Sequence, residues 1–63
     1  MTNELDTART VCTPNELRAY ELHAKGMSQR SIAHALHISR SAVQSRLENA
    51  ERKIRDAKRE AAA

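Results

Sequence analysis

Five polar residues in the second half of the chain have the types and spacing of a surface that reads another molecule. Arg40, Ser41, Gln44, Ser45 and Glu48 recur at steps of one, three and four, so on a helix they share one side. A guanidinium fork pairs with guanine N7 and O6, a glutamine amide with adenine N6 and N7, and a serine hydroxyl with several base edges. Glu48 would exclude wrong bases more than attract right ones. The same side chains could equally form an ordinary solvated helix face. What decides between the two is the set of elements that positions them.

No other set of residues carries chemistry as well. His23, His34 and His37, with Cys12 as a fourth ligand, lack metal spacing, because no C-x-x-C or H-x-x-x-H pattern exists. A nucleophile and base set has no plausible Ser/His/Asp order, and the chain is too short to build a pocket around one. Neither an enzyme nor a metal or other cofactor is expected. Cys12, directly before a helix cap, reads as a small hydrophobe in a staple position against the first turn.

The positioning elements are helical. Thr13-Pro14-Asn15-Glu16 is a capping box with proline at the first helical position, and the helix it opens runs to about Lys25. Leu17, Tyr20 and Ala24 lie along one side of it, widened by Leu22. Gly26 supplies a left-handed stop. Ser28 caps a short second helix, about Gln29–Leu36, whose apolar face is Ile32, Ala33 and Leu36. His37 stands in the helix-ending position, where positive φ is common and where histidine is admitted at some cost. Ile38 sits in the turn. Ser39 caps a last helix with no breaker from Arg40 to Glu60, about 31 Å at 1.5 Å per residue. Two short helices around a tight turn, with Val43 and Leu47 continuing the buried face, form the layout of a helix-turn-helix, whose second helix enters a DNA major groove. The expected fold is all-α, a three-helix helix-turn-helix domain with a long C-terminal recognition helix. The expected divisions are a flexible arm over 1–12, with at most a frayed turn near Glu4–Arg9, the domain over 13–60 and a tail over 61–63.

Ser28-x-x-x-Ile32-Ala33-x-x-Leu36-x-Ile38-Ser39-x-x-x-Val43-x-x-x-Leu47 resembles the DNA-reading domain of LuxR/GerE regulators and, equally, region 4 of sigma factors. Thr13-Pro14-Asn15-Glu16-Leu17 and Gly26-Met27-Ser28 resemble the entry to those domains. Val43-Gln44-Ser45-Arg46-Leu47 with Ala50 is closer to the sigma version. The chain departs from both families at His37, where glycine is usual, and at Cys12, where an apolar residue is. The resemblance implies double-stranded DNA as the partner and the Arg40–Glu48 face as the base-reading surface. Sigma region 4 also binds polymerase and anti-sigma factors, so RNA polymerase is the alternative partner.

Phosphate contacts are expected elsewhere. The free amides at the start of the second helix, with Ser28, Gln29 and Arg30, make an anion-binding helix end, and Ser39 and Arg46 are further candidates. Arg52, Arg55 and Arg59 could follow the DNA backbone or stay solvated.

Composition is consistent with this. Residues 1–24 carry Glu4, Asp6, Glu16 and Glu21 against Arg9 and Arg18, while residues 25–63 hold nine Lys/Arg against four acids, for an overall net of +3. A basic half on a small domain favours a polyanionic partner. With no Trp or Phe and one Tyr, the core of a 63-residue chain has to be thin and aliphatic. A single cysteine fits a reducing, cytoplasmic setting, and no apolar run reaches the length of a membrane span.

From Leu47 the apolar spacing alternates three and four through Ala50, Ile54 and Ala57, which predicts a weak heptad seam and a homodimer on DNA. The opposing expectation is that Ile54 folds back onto the first helix or the N-terminal arm. The initiating Met1 and the alanine-rich end suggest a complete short protein. The function expected is a small stand-alone transcriptional repressor or activator, of a size that suits a phage or mobile element. The alternative is a region 4-like adaptor on RNA polymerase or an anti-sigma partner.

Overall fold

The computed structural model describes the backbone of residues 4–62 and the side chains of residues 6–60. Four helices follow one another: α1 Glu4–Val11, α2 Pro14–Ala24, α3 Gln29–Leu36 and α4 Arg40–Ala62. The all-α helix-turn-helix expected from sequence is present, with one helix more than expected. The tail residues 61 and 62 belong to α4 rather than lying beyond it.

Each start is capped as the sequence indicates. Thr13 Oγ1 accepts from the Glu16 N–H at 3.3 Å, and Glu16 Oε1 accepts from the Thr13 N–H at 3.0 Å, completing the box. Ser28 Oγ accepts from the Ser31 N–H and Ser39 Oγ from the Ala42 N–H, each at 3.1 Å. Each satisfies a donor that the first turn of a helix leaves without a partner.

The ends of α2 and α3 are built alike. Met27 N–H donates to the Leu22 carbonyl and Gly26 N–H to that of His23; Ile38 N–H donates to Ala33 and His37 N–H to His34. Both are the six-to-one and five-to-two bonds of a Schellman stop, which needs a left-handed residue. Gly26 supplies it at φ 94°, and His37 at φ 57° and ψ 44°. The strained conformation expected of His37 is therefore the one it adopts.

α4 is the spine. It packs against α1, α2 and α3, whereas α1 and α3 do not touch each other. Ala19, Ile32, Ala33, Val43 and Leu47 form the main cluster, edged by Leu22, Met27, Leu36 and Ile38. The small Ala19 and Ala33 let α2 and α3 approach α4 closely. Apart from that cluster, Ala8, Ala50 and Ile54 are buried as well.

The structure departs from expectation at two further places. Residues 4–11, expected within a flexible arm, form a helix packed on α4 and α2, because the small Ala8 (0% exposed) lets α1 seat closely. Residues 1–3 of that arm lie outside the described residues. The seam expected to join two protomers is consumed inside one: Leu47, Ala50 and Ile54 are 4%, 0% and 5% exposed. Only Ala57 remains half-buried. A second copy could reach these residues only by displacing the helices packed on α4. The heptad spacing is real, and intramolecular partners fill it.

Candidate nucleic-acid interface

The turn at 37–39 sets α4 running away from α3 with Val43 and Leu47 turned into the core. Helical periodicity then sends the opposite side to solvent. Arg40, Ser41, Gln44, Ser45 and Glu48 are all exposed, so the structure gathers the expected base-reading residues on the first turns of one helix. Because they share no burial with the core, their chemistry is free to vary without cost to the fold.

One internal contact on this face was not foreseen. Gln44 Nε2 donates to Glu48 Oε1 at 3.2 Å. The amide keeps its carbonyl oxygen and one N–H free, which are the two groups a bidentate adenine contact needs. Glu48 thereby restrains the direction in which Gln44 points. An i, i+4 spacing of Gln and Glu on a helix was the signal for it.

The expected phosphate contacts divide. At the start of α3, Ser28 and Arg30 are exposed and Gln29 half-buried. The Ser28 hydroxyl is engaged with Ser31, accepting from its N–H and donating to its Oγ at 3.1 Å. The amides of Gln29 and Arg30 and the Arg30 guanidinium are thus the donors best placed for an anion. Ser39 is exposed and close to α4's first turn, with its oxygen used as the cap. Arg46 is not brought together with the others. It is half-buried, and two residues of helix place it about 160° around α4 from Glu48 and equally from Gln44.

His23, His34 and His37 are exposed, and among the described residues no three His, Cys, Asp or Glu side chains converge on a metal position. Cys12 lies at the junction of α1 and α2, half-buried, with its Sγ 4.0 Å from the Ala50 carbonyl oxygen of α4. Burial, and secondarily the Glu16 carboxylate, push its thiol pKa above the ordinary value, against the nearby Lys53 ammonium, which lowers it.

Sequence reasoning missed the ion pair behind the interface. Lys53 Nζ donates to Glu16 Oε1 at 2.7 Å, tying the capping box of α2 to the middle of α4. The sequence pattern assigns Glu16 to its cap alone. Nothing local marks residues 37 positions apart as partners.

An open groove runs between α2 and α4, lined by Tyr20, Glu51, Ile54, Arg55 and Lys58. It lies toward the end of α4 remote from Arg40. Among the described residues, no helix is long and apolar enough to cross a membrane.

Comparison with known proteins agrees with this geometry. No curated protein and no solved structure matches the chain. Residues 13–54 match the family model for Sigma-70, region 4, covering α2, α3, the turn and α4 as far as its last buried isoleucine. That is 42 of the 63 residues, and α1 lies before it. The chain belongs to the sigma-70 region 4 family of helix-turn-helix domains.

Proposed function

We propose that the protein is a sequence-selective DNA-binding transcriptional regulator that places the first turns of α4 in a major groove. The observation that carries this reading is the exposed set Arg40, Ser41, Gln44, Ser45 and Glu48 on the side of α4 opposite its core residues. Arg40 and Gln44 are the readers with two-point chemistry, and Ser41 and Ser45 add single hydroxyls. Arg30, the amides that begin α3 and Ser39 hold the duplex by its phosphates. Whether the outcome is repression or activation follows from where the site lies relative to a promoter. With Leu47, Ala50 and Ile54 buried within one chain, a homodimer on DNA would use another surface.

A selection from random duplexes with the purified protein tests this. Recovery of one enriched motif supports the reading, and recovery of none overturns it.

Membership of the region 4 family favours a second reading, an adaptor that binds RNA polymerase or an anti-sigma factor. The groove beside Tyr20 and Ile54, toward the end of α4 remote from Arg40, supports this reading as a place for a protein contact, and its Arg55 would then serve the protein partner rather than DNA. Capture of polymerase by the purified chain, together with weak and unselective DNA binding, would replace the first reading with this one.

A further inference from the structure

The reading face does not end where the reading residues do. At about 100° per residue, Ser41, Glu48, Arg52 and Arg59 fall within about 20° of a common line along α4, with Gln44, Ser45 and Arg55 to either side. Arg52, Arg55 and Arg59 are all exposed. Arg52 donates to Asn49 Oδ1 at 3.2 Å, and among the described residues Arg55 and Arg59 make no ion pair. They stay unpaired although Glu51, Asp56 and Glu60 lie within a turn of them.

The contrast with Lys53 is informative. That cation lies around the helix from Arg52, Arg55 and Arg59, and it is consumed by Glu16 at 2.7 Å. α4 therefore uses Lys53 to hold the fold and keeps these three guanidinium groups on the face that begins with the readers.

Length decides what those three would meet. Residues 40–48 span about 12 Å of helix, comparable to the width of the major groove. Arg52 to Arg59 lie about 18–28 Å from the start of a 23-residue helix, past what the groove can hold. With the first turns against base edges, the same face further along lies over the strand that borders the groove.

We propose that Arg52, Arg55 and Arg59 form a second, sequence-blind part of the DNA interface, contacting the phosphates flanking the base-read site. This rests on the reading of α4 as a groove-entering helix. An acidic protein surface is the competing occupant. Phosphate is favoured because the guanidinium groups continue the reading face without a break, so a protein docked there would collide with the DNA.

The test uses the full chain, a duplex carrying the selected motif with about one helical turn of flanking sequence on each side, and a random duplex of equal length. Binding is measured by fluorescence anisotropy across a salt series. Four proteins are compared: wild type, the triple variant R52A/R55A/R59A, the triple variant R52K/R55K/R59K and Gln44→Ala. Alanine is the best helix former, and these positions are exposed, so thermal melts should match wild type. The alanine variant should lose about two to three units of salt slope, at about 0.9 per phosphate contact. It should weaken both duplexes by the same factor, leaving the specific-to-random ratio unchanged, and the lysine variant should keep most of the slope. An alanine variant with wild-type slope and affinity would overturn the proposal, and loss of selectivity by Gln44→Ala in the same assay would show that the reading of α4 still stands. A wild-type chain that binds neither duplex would overturn both.

Discussion

Lys53 Nζ sits 2.7 Å from Glu16 Oε1, the same carboxylate oxygen that accepts the Thr13 N–H at 3.0 Å. One oxygen therefore closes the N-terminus of α2 and fastens it to α4, the helix that carries the reading face. Glu16 is 8% exposed as a residue and would be a costly group to bury without these donors.

The Lys53 hydrogen bond, and after it the Thr13 backbone N–H, hold the Glu16 pKa below its ordinary value. A depressed carboxylate pKa contributes stability that is fully present above the ordinary value of about 4.3 and is lost as pH falls through the folded value. Glu16→Gln should cost about 1 kcal/mol at pH 7, because hydrogen bonds to charged groups are worth about 1.5–3 kcal/mol and Lys53 is 36% exposed here. Urea melts at pH 7 and in the acid range check this. The difference between the two proteins should shrink as the acid range is entered, and a pH-independent difference would place the effect in packing rather than charge.

His37 holds a left-handed stop that Gly26 holds elsewhere in the same chain with the same pattern of hydrogen bonds. His37→Gly should stabilise by about 0.5–1 kcal/mol, the left-handed penalty of about 1–2 less the entropy that glycine adds to the unfolded chain. Gly26→Ala should destabilise by a similar amount through φ alone, since a Cβ there meets nothing within 4 Å. Thermal melts of both variants check the pair, which should move in opposite directions.

Ile54 is 5% exposed and buried by its own protomer. Ile54→Ala should cost about 2–4 kcal/mol, a large share of what a domain this small possesses. A melt close to wild type, with a changed sedimentation coefficient at micromolar protein, would return Ile54 to a seam between protomers.

Glu48 both restrains Gln44 and sets a negative charge on the face that meets DNA. Glu48→Ala should leave folding intact and tighten binding to random DNA about fivefold, one surface charge being worth about 1 kcal/mol. Affinity for the selected site should rise less, so the specificity ratio falls. Anisotropy on the two duplexes at one salt concentration measures it. Equal gains on both would mean that Glu48 acts as charge alone.

The legible features were those written in local chemistry. Thr13-Pro14-Asn15-Glu16, Ser28 and Ser39 name their helix starts by hydrogen-bonding capacity, and Gly26 and His37 mark the stops by position. Val43 and Leu47 fix the buried side of α4 and, by subtraction, the exposed reading residues. The α1 helix was legible only as a frayed turn, since Glu4–Val11 is too short to show a period and Ala8, buried among its described residues, is too small to stand out. The seam was misread for the same reason. Leu47, Ala50 and Ile54 have heptad spacing whether a second copy or α1 and α2 cover them, and spacing alone does not name the cover. Lys53 with Glu16, and Cys12 beside Ala50, are meetings of distant segments that appear only once α4 has been laid against the rest. Arg46 fell among the DNA contacts because its charge was read without its angle on the helix.

The most direct test of the central claim is the ratio of affinities for the selected site and for random DNA, at fixed salt, in Arg40→Ala and Gln44→Ala. Each good two-point base contact discriminates by about 1–3 kcal/mol, so each ratio should fall by about 5- to 150-fold. Arg30→Ala serves as the contrast, weakening both DNAs alike and reducing the salt slope by about 0.9. Ratios equal to wild type in both the Arg40 and the Gln44 variants would contradict the account, because α4 would then not be the helix that reads.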